Sequence, residues 1–133
     1  MRDLEQARML LSLARKDVKA AQAMMDGAAF ADEIFGFHAQ QSVEKALKAW
    51  LALTGVEYPK THDLQALIFL LESGGEPVPS SFKELVDLTD FAVQFRYEAF
   101  NDIGDGLDRR STIGDIVRAV EHVEILLSNT RAE

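Results

Sequence analysis

The sequence predicts an all-α domain, an up-and-down bundle of four principal helices with one extra short helix. Three observations predict it. Five segments repeat small or apolar residues at spacings of three and four, the period that returns side chains to one face of an α-helix. No segment sustains the alternation in twos that marks a strand, and no hairpin turn separates apolar runs. The links between segments are short, which favours packing around one core.

The first helix is expected from Arg2 to about Met25, with Leu4, Ala7, Leu11, Ala14, Val18, Ala21 and Met25 on one face and Asp26-Gly27 as its end, the glycine suiting a left-handed cap. The small positions Ala7, Ala14 and Ala21 permit close approach of another helix, within the chain or across a dimer. The second is expected from about Ala31 to Thr54, with Asp32 and Glu33 complementing the dipole of its first turn and Phe35, Ala39, Val43, Ala46, Trp50 and Leu53 on its apolar face. Gly55 and Tyr58-Pro59 break the chain there. The third begins near Thr61 or Asp63, either of which can cap it, and buries Leu64, Leu67, Ile68 and Leu71. After the loop Ser73 to Pro79, Ser81-Phe82-Lys83-Glu84 reads as a capping box for a fourth helix that runs to about Arg96-Tyr97, with Phe82, Leu85, Val86, Thr89 and Val93 inward. Asn101 to Gly106 reads as a loop. The last helix is expected from about Ser111 or Thr112 to Ser128, with Ile113, Ile116, Val117, Val120, Val123 and Leu127 as its core stripe and a frayed tail from Asn129 to Glu133.

The 133 residues suit a single domain, 1–133, and 47% hydrophobic with 27% charged residues is a globular composition. The absence of cysteine excludes disulfides, thiolate zinc sites and thiol nucleophiles, and fits a cytoplasmic protein. No apolar stretch reads as a signal peptide, and none approaches the ~20 residues of a membrane span. The formal net charge of −8 repels phosphate backbones, so nonspecific nucleic-acid binding by the whole surface is disfavoured.

Against that acidic background the second helix carries a polar stripe. His38, Gln41, Lys45 and Lys48 are spaced by three, four and three, and Glu44 can pair with Lys48 at i,i+4. Two ammonium groups with a histidine and an amide suit a phosphate or carboxylate; the competing reading is a solvated face whose lysine stems cover the core edge. His62-Asp63 invites an acid/base reading, and equally one in which Asp63 caps the third helix while His62 bonds a neighbouring helix. Arg96-Tyr97 suits an anion or nucleobase, or the stapling of a helix end. His122, between Glu121 and Glu124, reads as a surface residue. Three histidines on three helices do not assemble a metal site, and no phosphate loop, nucleophile elbow or His-Glu-x-x-His is present. No cofactor is implied.

Three of these places resemble the HEPN family, a domain of higher eukaryotes and prokaryotes often linked to nucleotide binding. Phe37 to Ala49 resembles the family's Gln-x-x-Glu-Lys-x-x-Lys helix, Thr61-His62-Asp63-Leu64 its Thr-His-Asp-Leu helix start, and Arg96-Tyr97 its Arg-Tyr-Pro segment, with Glu98 in place of the proline. The resemblance implies a helical bundle, often a homodimer, and frequent pairing with a minimal nucleotidyltransferase, sometimes as a toxin–antitoxin module. Some members are ribonucleases with Arg, four to six residues, then His. The nearest pair here, Arg118 and His122, has three residues between, which argues for the non-nucleolytic branch. The expected function is a binding or regulatory domain that contacts a nucleotide or a partner nucleotidyltransferase through His38, Gln41, Glu44, Lys45, Lys48, His62, Asp63, Arg96 and Tyr97, with no catalytic residue assigned. The alternatives are a ribonuclease acting on RNA and a structural homodimeric subunit.

Overall fold

A computed structural model describes residues 2–94 and 108–130, in which five α-helices and one 3-10 helix follow in order: α1 (Leu4–Ala23), α2 (Asp32–Thr54), α3 (Leu64–Ser73), the 3-10 helix (Ser80–Leu88), α4 (Thr89–Gln94) and α5 (Arg109–Asn129). Arg96 and Tyr97 lie outside the described residues. The fold is the expected all-α bundle.

The helix α2 sits at its centre. Its predicted face, Phe35, Ala39, Val43, Ala46, Trp50 and Leu53, is buried, and so are Leu47, Ala49, Leu51 and Ala52 on other sides. A helix buried nearly all round must be covered by several partners, and α1, α3, the 3-10 helix, α4 and α5 all pack on it. Facing pairs give the directions. Asp3 N–H donates to the Ala52 carbonyl and Asp17 meets His38, so α1 runs antiparallel to α2. Arg109 meets the Phe35 ring and His122 meets Trp50, so α5 runs parallel to α2. Ala7, Ala14 and Ala21 are fully buried, which places the small-residue seam of α1 inside the chain.

Caps account for several helix ends. The Asp3 carboxylate accepts from Gln6 N–H at α1, Asp63 from Gln65 N–H at α3 and Asp108 from Ser111 N–H at α5. Gly55 closes α2 at φ 75°, a left-handed backbone that glycine adopts without steric cost.

Four local expectations are corrected. Helix α1 stops at Ala23, and Gly27 has no positive φ; the cap is Met24, whose carbonyl accepts a hydrogen bond from the Arg109 guanidinium. The first turn of α5 starts two residues before Ser111, because Asp108 takes the cap. Ser81 does not cap a fourth helix: Phe82 N–H already bonds the Pro79 carbonyl, so Ser81 lies inside a 3-10 turn. The single fourth helix is a 3-10 stretch followed by α4, and its buried residues Phe82, Leu85, Leu88 and Phe91 recur every three, the 3-10 period. That helix packs tightly on α2. The Phe91 ring lies so close to Gly36 that a Cβ there would come within 2.4 Å of it.

Candidate functional site

The polar stripe of α2 is held by two carboxylates, each gripping one histidine and one lysine. The first is Asp17, on α1. Its Oδ2 accepts from Lys45 Nζ at 2.6 Å, and its Oδ1 lies 3.1 Å from His38 Nδ1. The antiparallel packing of α1 makes this contact, since His38 and Lys45 stand seven residues apart on one edge of α2 and Asp17 faces the gap between them.

The second carboxylate is Glu44, on α2 itself and buried. Its Oε2 accepts from Lys48 Nζ at 3.0 Å, one turn on, as the i,i+4 spacing requires. Its Oε1 lies 2.8 Å from His62 Nδ1 and accepts from Gln40 Nε2 at 3.0 Å and from Gln41 Nε2 at 3.4 Å. Burial pushes the Glu44 carboxyl up, but the hydrogen bonds from Gln40, His62 and Lys48 outweigh it and hold the group below its ordinary range.

His62 reaches Glu44 because the link after Gly55 runs back along α2. The Tyr58 ring lies 5.7 Å from Lys48 Nζ, one turn from the contact of His62 with Glu44. The fully buried Gln40 fixes the return by donating to the His62 carbonyl at 2.9 Å. At the turn into α3, Thr61 Oγ1 accepts from Asp63 N–H and Thr89 Oγ1 from Leu64 N–H, while the Asp63 carboxylate is the α3 cap. His62 and Asp63 therefore serve different partners.

Of the residues expected from sequence, the structure gathers His38, Gln41, Glu44, Lys45, Lys48 and His62 along one polar seam, with Asp63 at its edge as a capping group. Arg96 and Tyr97 fall outside the described residues. Sequence reasoning missed Asp17 and Gln40. Asp17 follows a run of polar residues on α1 and pairs across 21 and 28 positions, so no local spacing points to it. Gln40 stands next to Gln41 and is distinguished from it only by burial.

Two further polar groups are placed away from this seam. His122 is not a free surface residue: its ring centroid lies 5.1 Å from Trp50 and 5.4 Å from Phe82, and burial lowers its pKa. Arg109 is buried, and it donates to the carbonyls of Met24 and Phe30 and to the Asp32 carboxylate while lying 5.0 Å from the centre of the Phe35 ring. It ties the first turn of α5 to the α1–α2 turn. Among the described residues no three His, Asp or Glu side chains converge as metal ligands, and no helix is long and apolar enough to cross a membrane.

No curated protein and no solved structure matches the chain. The family model of the HEPN domain matches residues 7–131, nearly the whole chain and all of the seam described above. The chain belongs to the HEPN domain family.

Proposed function

We propose that this domain is a binding and regulatory module that acts with a partner rather than as a self-sufficient enzyme, and that the outer edge of the α2 seam is its contact face. The ligand of that face is a nucleotide phosphate, or an acidic group on a partner nucleotidyltransferase. The observation that carries the reading is the pair of carboxylates, each holding a lysine and a histidine. An ammonium has three donors, and Asp17 and Glu44 take one each from Lys45 and Lys48. Both histidines meet their carboxylates through Nδ1, so Nε2 accepts in the neutral ring and donates to an anion only in the charged one. Fixing a free lysine costs up to about 2 kcal/mol of rotamer entropy, and here much of that ordering precedes any ligand.

The same pairing sets a limit. Two carboxylates neutralise two ammonium groups, so the seam offers directed hydrogen bonds and little long-range attraction on a body of net charge −8. A nucleotide should therefore bind better when a basic partner adds charge. This suits the pairing with a nucleotidyltransferase, in a toxin–antitoxin-like module, that the family resemblance implies.

Titration of the whole chain with nucleoside triphosphates, alone and with the product of the adjacent gene, tests the reading. Lys45→Gln should weaken binding about tenfold, roughly 1.4 kcal/mol, without lowering the melting temperature by more than a few degrees. Absence of binding in both formats would end it.

The ribonuclease reading draws less support from the geometry. Arg118 pairs with Asp115 on its own helix, and the His122 ring packs on Trp50 and Phe82. For a homodimer, the alanine seam of α1 is already used within the chain, so the interface would need another face.

A further inference from the structure

The outer face of α3 is a second surface, which meets the α2 seam only at Asp63. Phe69 is 67% exposed, the most exposed of the large hydrophobic side chains among the described residues. Two grooves flank it. One, of about 380 Å³, is floored by Pro59, Ala66 and Leu70; the other, of about 300 Å³, by Ile68 and Val86. The phenyl ring thus lines both hollows, one between α3 and the link that precedes it, the other between α3 and the 3-10 helix.

The rim of these hollows is acidic. Asp63 edges the first groove, and Glu72 and Asp87 edge the second. Its one basic side chain, Lys83, is paired with Glu72 at 3.2 Å. Three carboxylates against one neutralised ammonium leave the rim negative, in line with the net charge of −8.

We propose that this face docks a partner segment that is both apolar and basic: an amphipathic helix whose aliphatic side chains straddle Phe69 and whose Lys or Arg side chains reach Asp63, Glu72 and Asp87. Charge complementarity decides the occupant. An apolar face with an acidic rim attracts cationic amphipathic partners and repels acidic ones. A second copy of this chain is the wrong partner, because a two-fold contact through the face would bring two copies of the same net-negative rim together.

The test uses two labelled synthetic helical peptides of equal length, one Leu/Lys and one Leu/Glu, titrated against the full chain by fluorescence anisotropy. The wild-type protein should bind the Leu/Lys peptide and not the Leu/Glu peptide, and added salt should weaken the binding. Phe69→Ala should weaken it tenfold or more, and Asp87→Lys by several-fold. Ile125→Ala, which removes an exposed aliphatic side chain on α5, should leave it unchanged. Phe69 and Asp87 are both exposed, so either variant should fold, and circular dichroism of each is the control. The proposal is overturned if the Leu/Lys peptide fails to bind, if Phe69→Ala and Ile125→Ala behave alike, or if the Leu/Glu peptide binds as well. It is also overturned if sedimentation shows a wild-type dimer that Phe69→Ala dissolves, since the face would then belong to a second copy.

Discussion

Glu44 concentrates the polar chemistry of the domain in one side chain. A buried carboxylate is tolerated when its lone pairs are filled, and Gln40, Gln41, Lys48 and His62 fill them. Glu44→Gln keeps the shape but exchanges an acceptor of charged hydrogen bonds for an amide, and it should cost roughly 2 kcal/mol in urea denaturation. The pH dependence follows from the depressed carboxyl. The folded state binds this proton more weakly than the unfolded chain does. The contribution is therefore complete above the unfolded value of about 4.3 and is lost as pH falls through the lower folded value. Stability of Glu44→Gln should accordingly vary less than that of wild type below about pH 5, and equal slopes would show that the carboxylate is not the group being titrated. His122 behaves in the same sense for a different reason. Burial against Trp50 and Phe82 disfavours its charged form, so the folded protein takes up this proton at lower pH than the unfolded chain. Stability should fall as pH drops below about 6.5, and His122→Phe should remove that part of the slope in thermal melts at pH 7 and pH 5.

At the scale of elements, two contacts fix how helices meet. Gly36 lets the Phe91 ring lie directly on α2, so Gly36→Ala should destabilise by about 1–3 kcal/mol through overpacking. Because the three nearest atoms all belong to that ring, the double variant Gly36→Ala/Phe91→Leu should recover part of the loss in denaturant melts, and additive losses would place the strain elsewhere. Arg109 joins α5 to the α1–α2 turn through three acceptors, and Arg109→Met should cost roughly 2–4 kcal/mol, with hydrogen exchange rising first at Met24 to Asp32. Neither contact was legible beforehand. A glycine inside a helix reads only as a weakness until the ring above it is known, and an arginine at a helix start has no local partner to betray it. The first part of the fourth segment departs from expectation for a related reason. Phe82, Leu85, Leu88 and Phe91 carry the 3-10 period openly, but Val86, Thr89 and Val93 admit an α-helical stripe through the same residues.

For the whole molecule, the bundle was legible because apolar periodicity is strong in α1, α2, α3 and α5, and each predicted α2 core residue is buried. The seam was legible only in part. Spacing along α2 puts His38, Gln41, Lys45 and Lys48 on one edge, whereas the carboxylate that anchors His38 and Lys45 arrives from α1 by tertiary packing. Spacing finds the Glu44–Lys48 pair within α2 but not the Asp17 carboxylate that reaches Lys45 from α1. The structure accordingly shifts the expectation from a stripe with two ammonium groups to one in which each ammonium is paired with a carboxylate. The measurement that bears most directly on this account is a heteronuclear NMR titration of the full chain with ATP, with and without the product of the adjacent gene. The account predicts shifts centred on His38, Gln41, Lys45, Lys48 and His62 that Lys45→Gln reduces while the rest of the spectrum stays native. Shifts centred elsewhere, or the same shifts in Lys45→Gln, or none in either format, would contradict it.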